Sequence, residues 1–176
     1  IPPPRDAVFD DLASELRQGQ ICPVLLGCAT RENGLLRLMK ALRHEAPGVT
    51  DTARRLGVSD EKSGLAYVMK TTHLQHGGKL SLARVLRGQF ADGDTVMSSG
   101  GGAGRISGIL ATNIGADNKR GSAAAGDTVT FGKLDTVKTC ETLTSGKTAP
   151  EALVEMEPAP PVLATAVIAD NRKDDV

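Results

Sequence analysis

The sequence predicts a mainly β protein, a small antiparallel barrel or sandwich that follows a fragment of an α/β domain. The first observation is a series of short runs between Ala66 and Leu143 that are rich in Val, Leu, Ile and Thr. The second is the turn chemistry that separates these runs, at Gly77-Gly78, Asp92-Gly93-Asp94 and Gly126-Asp127. Closely spaced strands joined by such turns are typical of a small antiparallel barrel or sandwich.

The first fifty residues have the pattern of a helix, a strand and a second helix. Apolar residues at helical spacing predict helices over 6–17, closed by Gly19, and over 34–43, stopped by Pro47-Gly48. Between them, Ile21–Leu26 is a continuous apolar run and predicts a strand buried on both faces. Such a strand needs parallel neighbours, which nothing before residue 64 supplies. We therefore expect the rest of this sheet to lie upstream of Ile1.

The remaining chain divides by composition. Residues 50–63 are polar and predict a linker, and residues 64–150 contain the β-module. Within the module, 105–110 and 137–143 predict strands, and 121–125 predicts the approach to a turn. Residues 151–176 predict a stiff Pro-rich connector followed by one more strand over 162–169.

Composition excludes several classes of function. The chain has 176 residues with 21 basic and 21 acidic side chains, so a chain-wide phosphate-binding field is not expected. With three Phe, one Tyr and no Trp, we expect an aliphatic core and no nucleic-acid site built on stacked aromatic rings. The three cysteines form no CxxC pair and predict reduced thiols in a cytoplasmic protein. No apolar run reaches ~18 residues, so no membrane span is predicted.

Motifs that could carry catalysis or bind metal are incomplete. Gly146-Lys147-Thr148 resembles the end of a phosphate-binding loop, but Glu141 replaces the required glycine and Pro150 the following helix. Asn118-Lys119-Arg120-Gly121 lacks the aspartate of a guanine-reading motif, and His73 and His76 have no acidic or thiol partner nearby. We predict no catalytic and no metal-binding residue within this chain.

A basic set remains as a candidate site, comprising Lys79, Arg84, Arg87 and Arg105. Because alternate residues of a strand share a face, Lys79 and Arg87 lie on one side of their strand and Arg84 on the other. A barrel with a basic face could bind phosphates. Ordinary surface charge is the alternative for these residues.

These stretches carry a family resemblance. The module from Gly64 to Leu143, with AYVMKTTHLQHGGKLSLARVLRGQFADGDTV, GRISGIL and AGDTVTFGKLDTVKTCETL, resembles the β-barrel domain II of elongation factor G-type translational GTPases. Upstream, CPVLLGCATRENGLLRLMKAL is similar to the last strand and helix of that family's GTP-binding domain. Downstream, PPVLATAVIADNRKDDV is similar to the beginning of domain III.

The resemblance assigns a role to Gly27-Cys28-Ala29. These residues match the family's Gly-Ser-Ala loop, which cradles the guanine base with a backbone amide near Ala29 reaching the base oxygen. Cys28 replaces the usual Ser, and Cys140 stands where the family usually has Gly. If that position needs a positive φ, a cysteine there costs about 1 kcal/mol. Both departures indicate a divergent elongation factor G-like protein.

The resemblance implies a cytoplasmic, ribosome-associated GTPase that uses GTP and Mg²⁺ and hydrolyses GTP to drive translocation or a related ribosome step. The phosphate loop and magnesium ligands would lie upstream of Ile1. This chain alone is then expected neither to bind nor to hydrolyse GTP. Domain II of the family docks on small-subunit ribosomal RNA, on the GTP-binding domain and next to domain III. Lys79, Arg84, Arg87 and Arg105 are the candidates for the RNA contact.

Two other functions are consistent with the sequence. One is a free-standing β-barrel module that binds RNA or protein without nucleotide chemistry. The other is a ribosome-protection or peptide-release GTPase of the same superfamily, which domain II distinguishes poorly.

Overall fold

The computed structural model describes residues 4–74, 78–112, 119–156 and 159–166. Some predictions concern residues outside these ranges, namely Gly77 of the first turn, His76, Asn118 and residues 167–169 of the last predicted strand. These residues lie outside the described part of the chain.

Two of the three described helices match the predicted ones. α1 spans Arg5–Gln18 and ends at Gly19, whose φ of 75° confirms it as the left-handed closing residue. α2 spans Leu35–His44 and follows Gly34. Neither these helices nor the third is both long and apolar enough to cross a bilayer.

The third helix, α3 (Val49–Arg55), lies at the beginning of the predicted linker over 50–63, where the sequence shows no apolar helical period. The Gly48 carbonyl accepts both the Thr52 N–H and the Thr52 hydroxyl at 3.0 Å. Asp51 lies in the first turn and two arginines in the last, which suits the helix dipole. These local stabilising contacts outweigh the missing apolar periodicity.

The predicted buried strand over Ile21–Leu26 is absent. This segment is irregular, and Val24 and Leu26 are 84% and 91% exposed. A strand is stable only when neighbouring strands pair with it, and no described strand pairs with these residues. The nearest pairing is a single bridge between Cys28 and Asn33.

Strands dominate the rest of the chain, as the sequence predicts. They are β1 (Leu65–Leu74), β2 (Gly78–Arg87), β3 (Gln89–Ala91), β4 (Thr95–Ser98), β5 (Ala103–Arg105), β6 (Ile109–Ala111), β7 (Lys119–Arg120), β8 (Ser122–Ala124), β9 (Thr128–Gly132) and β10 (Thr142–Thr144). Eight form one antiparallel sheet in the order β5-β4-β10-β1-β2-β9-β6-β7, and β3 pairs with β8. The mainly β, antiparallel fold class is confirmed.

Two predicted turns are confirmed and share one chemistry. Gly93 and Gly126 have φ values of 91° and 97°, which favour glycine. In each turn an aspartate one residue later accepts a backbone N–H from three residues before it, Ala91 to Asp94 at 2.7 Å and Ala124 to Asp127 at 2.9 Å. Residues 121–125, expected only as an approach to a turn, contain β8.

The segment between β5 and β6 connects the two sides of the sheet. The Ile106 N–H donates to the Asp94 carbonyl beside β4 at 2.9 Å, and the Ser107 N–H donates to the Gly132 carbonyl on β9 at 3.1 Å. Gly108, with φ 96°, breaks the strand that we predicted over 105–110. The described pairs join no β5 to β7, so complete closure as a barrel stays a prediction.

The core lies inside this sheet and is almost entirely aliphatic. We predicted an aliphatic core, and two aromatic residues in it, Phe90 and Phe131, depart from that prediction. Their rings are tilted towards each other, with centroids 5.4 Å apart. Around them pack Ala66, Val68, Ala83, Val85, Val96, Ile106, Ile109, Ala123, Val129, Leu134, Val137 and Leu143.

The last two predicted strands are shortened or missing. Of residues 137–143, only the end enters a strand, β10, which pairs with β1 and β4. Residues 162–166 are irregular, and Val162 is fully exposed. An apolar run without a pairing partner does not form a strand, so the prediction over 162–169 was wrong for its described part.

Candidate functional site

A tight loop after the exposed segment 21–26 carries the residues matched to the guanine-binding loop. Cys28 and Asn33 exchange backbone hydrogen bonds of 2.9 and 3.1 Å, and one turn of 3-10 helix (Ala29–Arg31) lies between them. Gly34 closes the loop with φ 80°, and an added Cβ there would lie 2.5 Å from the Leu26 carbonyl oxygen. The loop therefore requires glycine at residue 34.

The Ala29 amide is available to an outside acceptor. The 3-10 turn uses the N–H groups of Arg31 and Glu32, which donate to Cys28 and Ala29 at 3.2 Å. The Ala29 N–H precedes these bonds and donates to no backbone carbonyl of the described residues. Residues 22–40 are exposed, so a planar ligand could reach this amide.

Cys28 keeps a hydrogen-bonding atom where the family has a hydroxyl. Its Sγ lies 3.3 Å from the Thr30 hydroxyl, and the side chain is exposed. The bond with Thr30, and then the backbone amide of Arg31, lower the pKa of the Cys28 thiol. The substitution thus retains a polar side chain that hydrogen bonds within the loop.

The described residues show neither a metal cluster nor a complete phosphate-binding loop. No three His, Cys, Asp or Glu side chains of the described chain come together as a metal site. Gly146-Lys147-Thr148 lies in a bend after β10, and no helix follows it in the described residues. The guanine contact of Gly27-Cys28-Ala29 therefore stays a prediction, for which the loop offers the Ala29 amide.

The four predicted RNA contacts do not share one face. In β2, Ser81, Ala83 and Val85 are buried, which places Lys79 on the inward face. Leu86 is buried as well, where the register with β1 shifts, so Arg87 does not follow this alternation. Lys79 and Arg87 lie about 26 Å apart along the strand. The Lys79 ammonium donates to the Asp135 carbonyl at 3.0 Å. Arg84 and Arg105 donate to the Thr128 hydroxyl at 3.0 Å and the Gly93 carbonyl at 2.9 Å.

Arg87 instead fixes the segment that leads from α3 into the sheet. Its side chain is only 12% exposed, and its guanidinium donates to the carbonyls of Ser59 at 2.6 Å and Ser63 at 3.0 Å. A third contact reaches the Glu61 carboxylate at 3.3 Å. The Ser59 hydroxyl, and then the Arg87 charge, lower the pKa of Glu61. No local sequence signal predicts this role, because the partners lie 24 to 28 residues upstream.

Cys140 occupies the strained position anticipated from the resemblance. Its φ is 69°, a left-handed conformation that favours glycine, and its N–H donates to the Val68 carbonyl at 2.8 Å. A hydrogen bond with the Cys140 side chain, followed by burial, raises the pKa of Tyr67 to about 12. Strain and a tyrosine contact are therefore both located at this residue.

Replacement of this residue separates the two effects. We expect Cys140→Gly to increase the free energy of unfolding by about 1 kcal/mol, measured by urea denaturation. Cys140→Ala keeps the strain and should give no gain. In both variants the pKa of Tyr67 should fall, and ultraviolet absorbance reports this directly because the chain has one Tyr and no Trp. A Cys140→Gly variant no more stable than Cys140→Ala would contradict the assigned strain.

The raised pKa of Tyr67 also sets a pH dependence. Its contribution to stability is fully present below the ordinary tyrosine pKa of about 10. This contribution is lost as the pH rises towards the folded value of about 12. Between pH 10 and pH 12, the fall in the free energy of unfolding should be smaller in Cys140→Gly than in the unchanged chain.

Known proteins resemble this chain along its length. No family model matches it. An elongation factor G-like protein of Synechocystis sp. is 33% identical over 178 aligned positions, which cover 100% of this chain and 25% of the relative. The chain is a homologue of one part of the elongation factor G-like proteins. The resemblance read from the sequence is thereby confirmed.

Further relatives agree with this identification. The mitochondrial ribosome-releasing factor 2 of Drosophila persimilis is 31% identical over 133 positions, covering 75% of this chain and 18% of the relative. A crystal structure from Thermus thermophilus shares the fold, with a TM-score of 0.69 at 22% identity over 98% of this chain and 25% of that one. The chain thus spans about a quarter of the length of the Synechocystis relative.

Proposed function

We propose that this chain is a segment of a translational GTPase that acts on the ribosome, with the β-module as its docking unit. The observation that carries this proposal is the 33% identity to an elongation factor G-like protein over 100% of the chain. The name of the Drosophila relative refers to the same machine, the ribosome. A cytoplasmic location is part of this proposal.

Within this proposal, the loop Gly27-Cys28-Ala29 contacts the guanine base of GTP. The Ala29 amide donates to the base carbonyl oxygen, and the paired Cys28 and Asn33 hold the loop in shape. Hydrolysis would need ligands for the GTP phosphates and for Mg²⁺, which would neutralise their charge, and the described residues form no metal cluster. The 176-residue chain alone should therefore show no GTP hydrolysis above the buffer rate.

We assign residues 1–49 to the end of a GTP-binding domain, 50–63 to the connection, 64–150 to domain II and 151–176 to the start of domain III. Domain II would then bind its neighbouring domains and small-subunit ribosomal RNA. Of the predicted RNA contacts, Lys79, Arg84 and Arg105 make one bond each within the protein, whereas Arg87 binds the connection through several. We therefore assign Arg87 to domain positioning.

Co-sedimentation with ribosomes tests this function. The longest protein that the gene encodes is pelleted with purified ribosomes in the presence of a non-hydrolysable GTP analogue or of GDP. We expect several-fold more protein in the pellet with the analogue. Equal pelleting with both nucleotides would instead support a nucleotide-independent binding module, and absence from both pellets would contradict any role on the ribosome.

A further inference from the structure

Two adjoining hollows on the β-module are surrounded by cationic side chains. Their volumes are 370 and 590 Å³, and both are lined by Asp92, Ser107 and Lys133. Lys119 and Arg120 line the first hollow and Arg105 lines the second. Lys133 therefore stands where the two hollows meet.

The backbone of Lys133 is unusual. Its φ is 58°, a left-handed conformation that glycine adopts more easily than lysine, and its side chain is exposed. The Lys133 N–H donates to the Lys79 carbonyl at 2.9 Å, which holds this conformation at the end of β9. Strain retained at an exposed residue that packs no core suggests that its side chain has a function.

The charge of the surface favours an anionic partner. Four cationic and two acidic side chains line the hollows, and Asp92 is already bonded to the Gly108 N–H at 2.7 Å. Arg105 and Lys133 form no ion pair with any described residue, whereas Arg120 pairs with Asp127 at 3.5 Å. Lys119 likewise forms no ion pair with a described residue, so three of the four cations are free to neutralise an external charge.

The shape of the partner follows from what the hollows lack. No described aromatic ring lines either of them, so unpaired bases would find no stacking surface. Cations spread across shallow hollows instead suit the regularly spaced phosphates of a duplex, whose backbone is bound without reading the sequence.

We propose that Lys133, with Arg105, Lys119 and Arg120, forms a phosphate-binding surface for double-stranded RNA. This proposal rests on the proposed function and specifies which face of the β-module meets RNA. The proposed contact is centred on Lys133, a residue that the sequence analysis did not select. Arg87, which the sequence analysis did select, is not part of the contact. Bound phosphates would lie across both hollows, over Ser107.

The test uses a fluorescein-labelled RNA duplex, with binding by the 176-residue chain followed by fluorescence anisotropy at increasing KCl. We expect Lys133→Gly to bind several-fold more weakly at low salt, with a salt slope shallower by about 0.9, the value for one lost phosphate contact. The same variant should withstand more urea, because glycine relieves the strain. Weaker binding by a more stable protein cannot result from misfolding.

Three variants serve as comparisons. Arg105→Ala should weaken binding as Lys133→Gly does. Cys140→Gly relieves the same kind of strain without changing the charge, and Lys147→Ala removes a charge outside both hollows; neither should change RNA affinity. Equal affinity of Lys133→Gly and the unchanged chain, or no RNA binding at all, would overturn the proposal. Competition by polyglutamate as effective as that by RNA would also overturn it, in favour of an acidic protein partner.

The outcomes also separate this proposal from the function on which it rests. Nucleotide-dependent ribosome binding unaffected by Lys133→Gly would overturn the RNA surface and retain the GTPase assignment. RNA binding that depends on Lys133, without ribosome binding by the complete protein, would support the surface and overturn the assignment.

Discussion

Replacing Arg87 by alanine is expected to lower the free energy of unfolding by about 3 kcal/mol, because several charge-assisted hydrogen bonds are lost together. The guanidinium contacts Ser59, Glu61 and Ser63, and its side chain is largely buried between β2 and this connecting segment. The loss leaves the Ser63 carbonyl without this donor. Urea denaturation gives the change in stability, and amide hydrogen exchange of residues 59–63 should become faster.

Arg84 provides a matched control on the same strand. It makes one hydrogen bond, to the Thr128 hydroxyl, so Arg84→Ala should cost no more than about 1 kcal/mol. Hydrogen exchange of residues 59–63 should not change in this control. Similar losses in the two variants would show that Arg87 does not specifically hold the connecting segment. Under conditions in which the Arg87→Ala variant is folded, its affinity for RNA should equal that of the unchanged chain.

Gly34→Ala should disrupt the candidate guanine loop. The backbone at residue 34 is left-handed with φ 80°, and the new Cβ would lie 2.5 Å from the Leu26 oxygen and 3.0 Å from the Gly27 Cα. Strain and steric overlap together cost about 3 kcal/mol. The paired amides of Cys28 and Asn33 should then exchange about a hundredfold faster. In the complete protein, the proposed guanine contact predicts weaker GTP binding.

Gly101→Ala separates strain from steric overlap. Gly101 has the same φ of 80° but no atom within 4 Å of an added Cβ, so its replacement should cost only about 1 kcal/mol. If exchange at Cys28 and Asn33 is as slow in Gly34→Ala as in the unchanged chain, the close approach of Leu26 does not shape the loop.

The local features of this fold were predictable from the sequence. Gly93 and Gly126 are followed by aspartates that hydrogen bond within the same turn, so a few consecutive residues determine each turn. Alternation in β2 likewise predicted that Ser81, Ala83 and Val85 share a face, and it fails only at Leu86, where the register with β1 shifts. Gly19 ends α1 through its own backbone conformation.

Features that depend on distant partners were not predictable in this way. Ile21–Leu26 has the composition of a strand, yet strand formation requires pairing that the described chain does not provide. α3 was missed for a local reason instead, because its residues lack an apolar period although Thr52 donates to the Gly48 carbonyl in the first turn. The positive φ of Lys133 and the contacts of Arg87 arise from tertiary packing and leave no pattern in nearby residues.

For the candidate site, the resemblance identified Gly27-Cys28-Ala29, and the structure describes a tight loop there that is closed by the paired Cys28 and Asn33. The basic set was chosen by strand position alone, and the structure distributes it over different parts of the β-module. Net charge could not reveal the surface around Lys133, because 21 basic and 21 acidic residues balance over the whole chain.

The most direct test of the central claim is GTP hydrolysis by the complete protein, measured as phosphate release with and without ribosomes. A translational GTPase that acts on the ribosome should hydrolyse GTP faster when ribosomes are added. The 176-residue chain, measured alongside, should remain at the buffer rate in both conditions. A complete protein that hydrolyses no GTP, or whose rate ribosomes leave unchanged, would contradict the account.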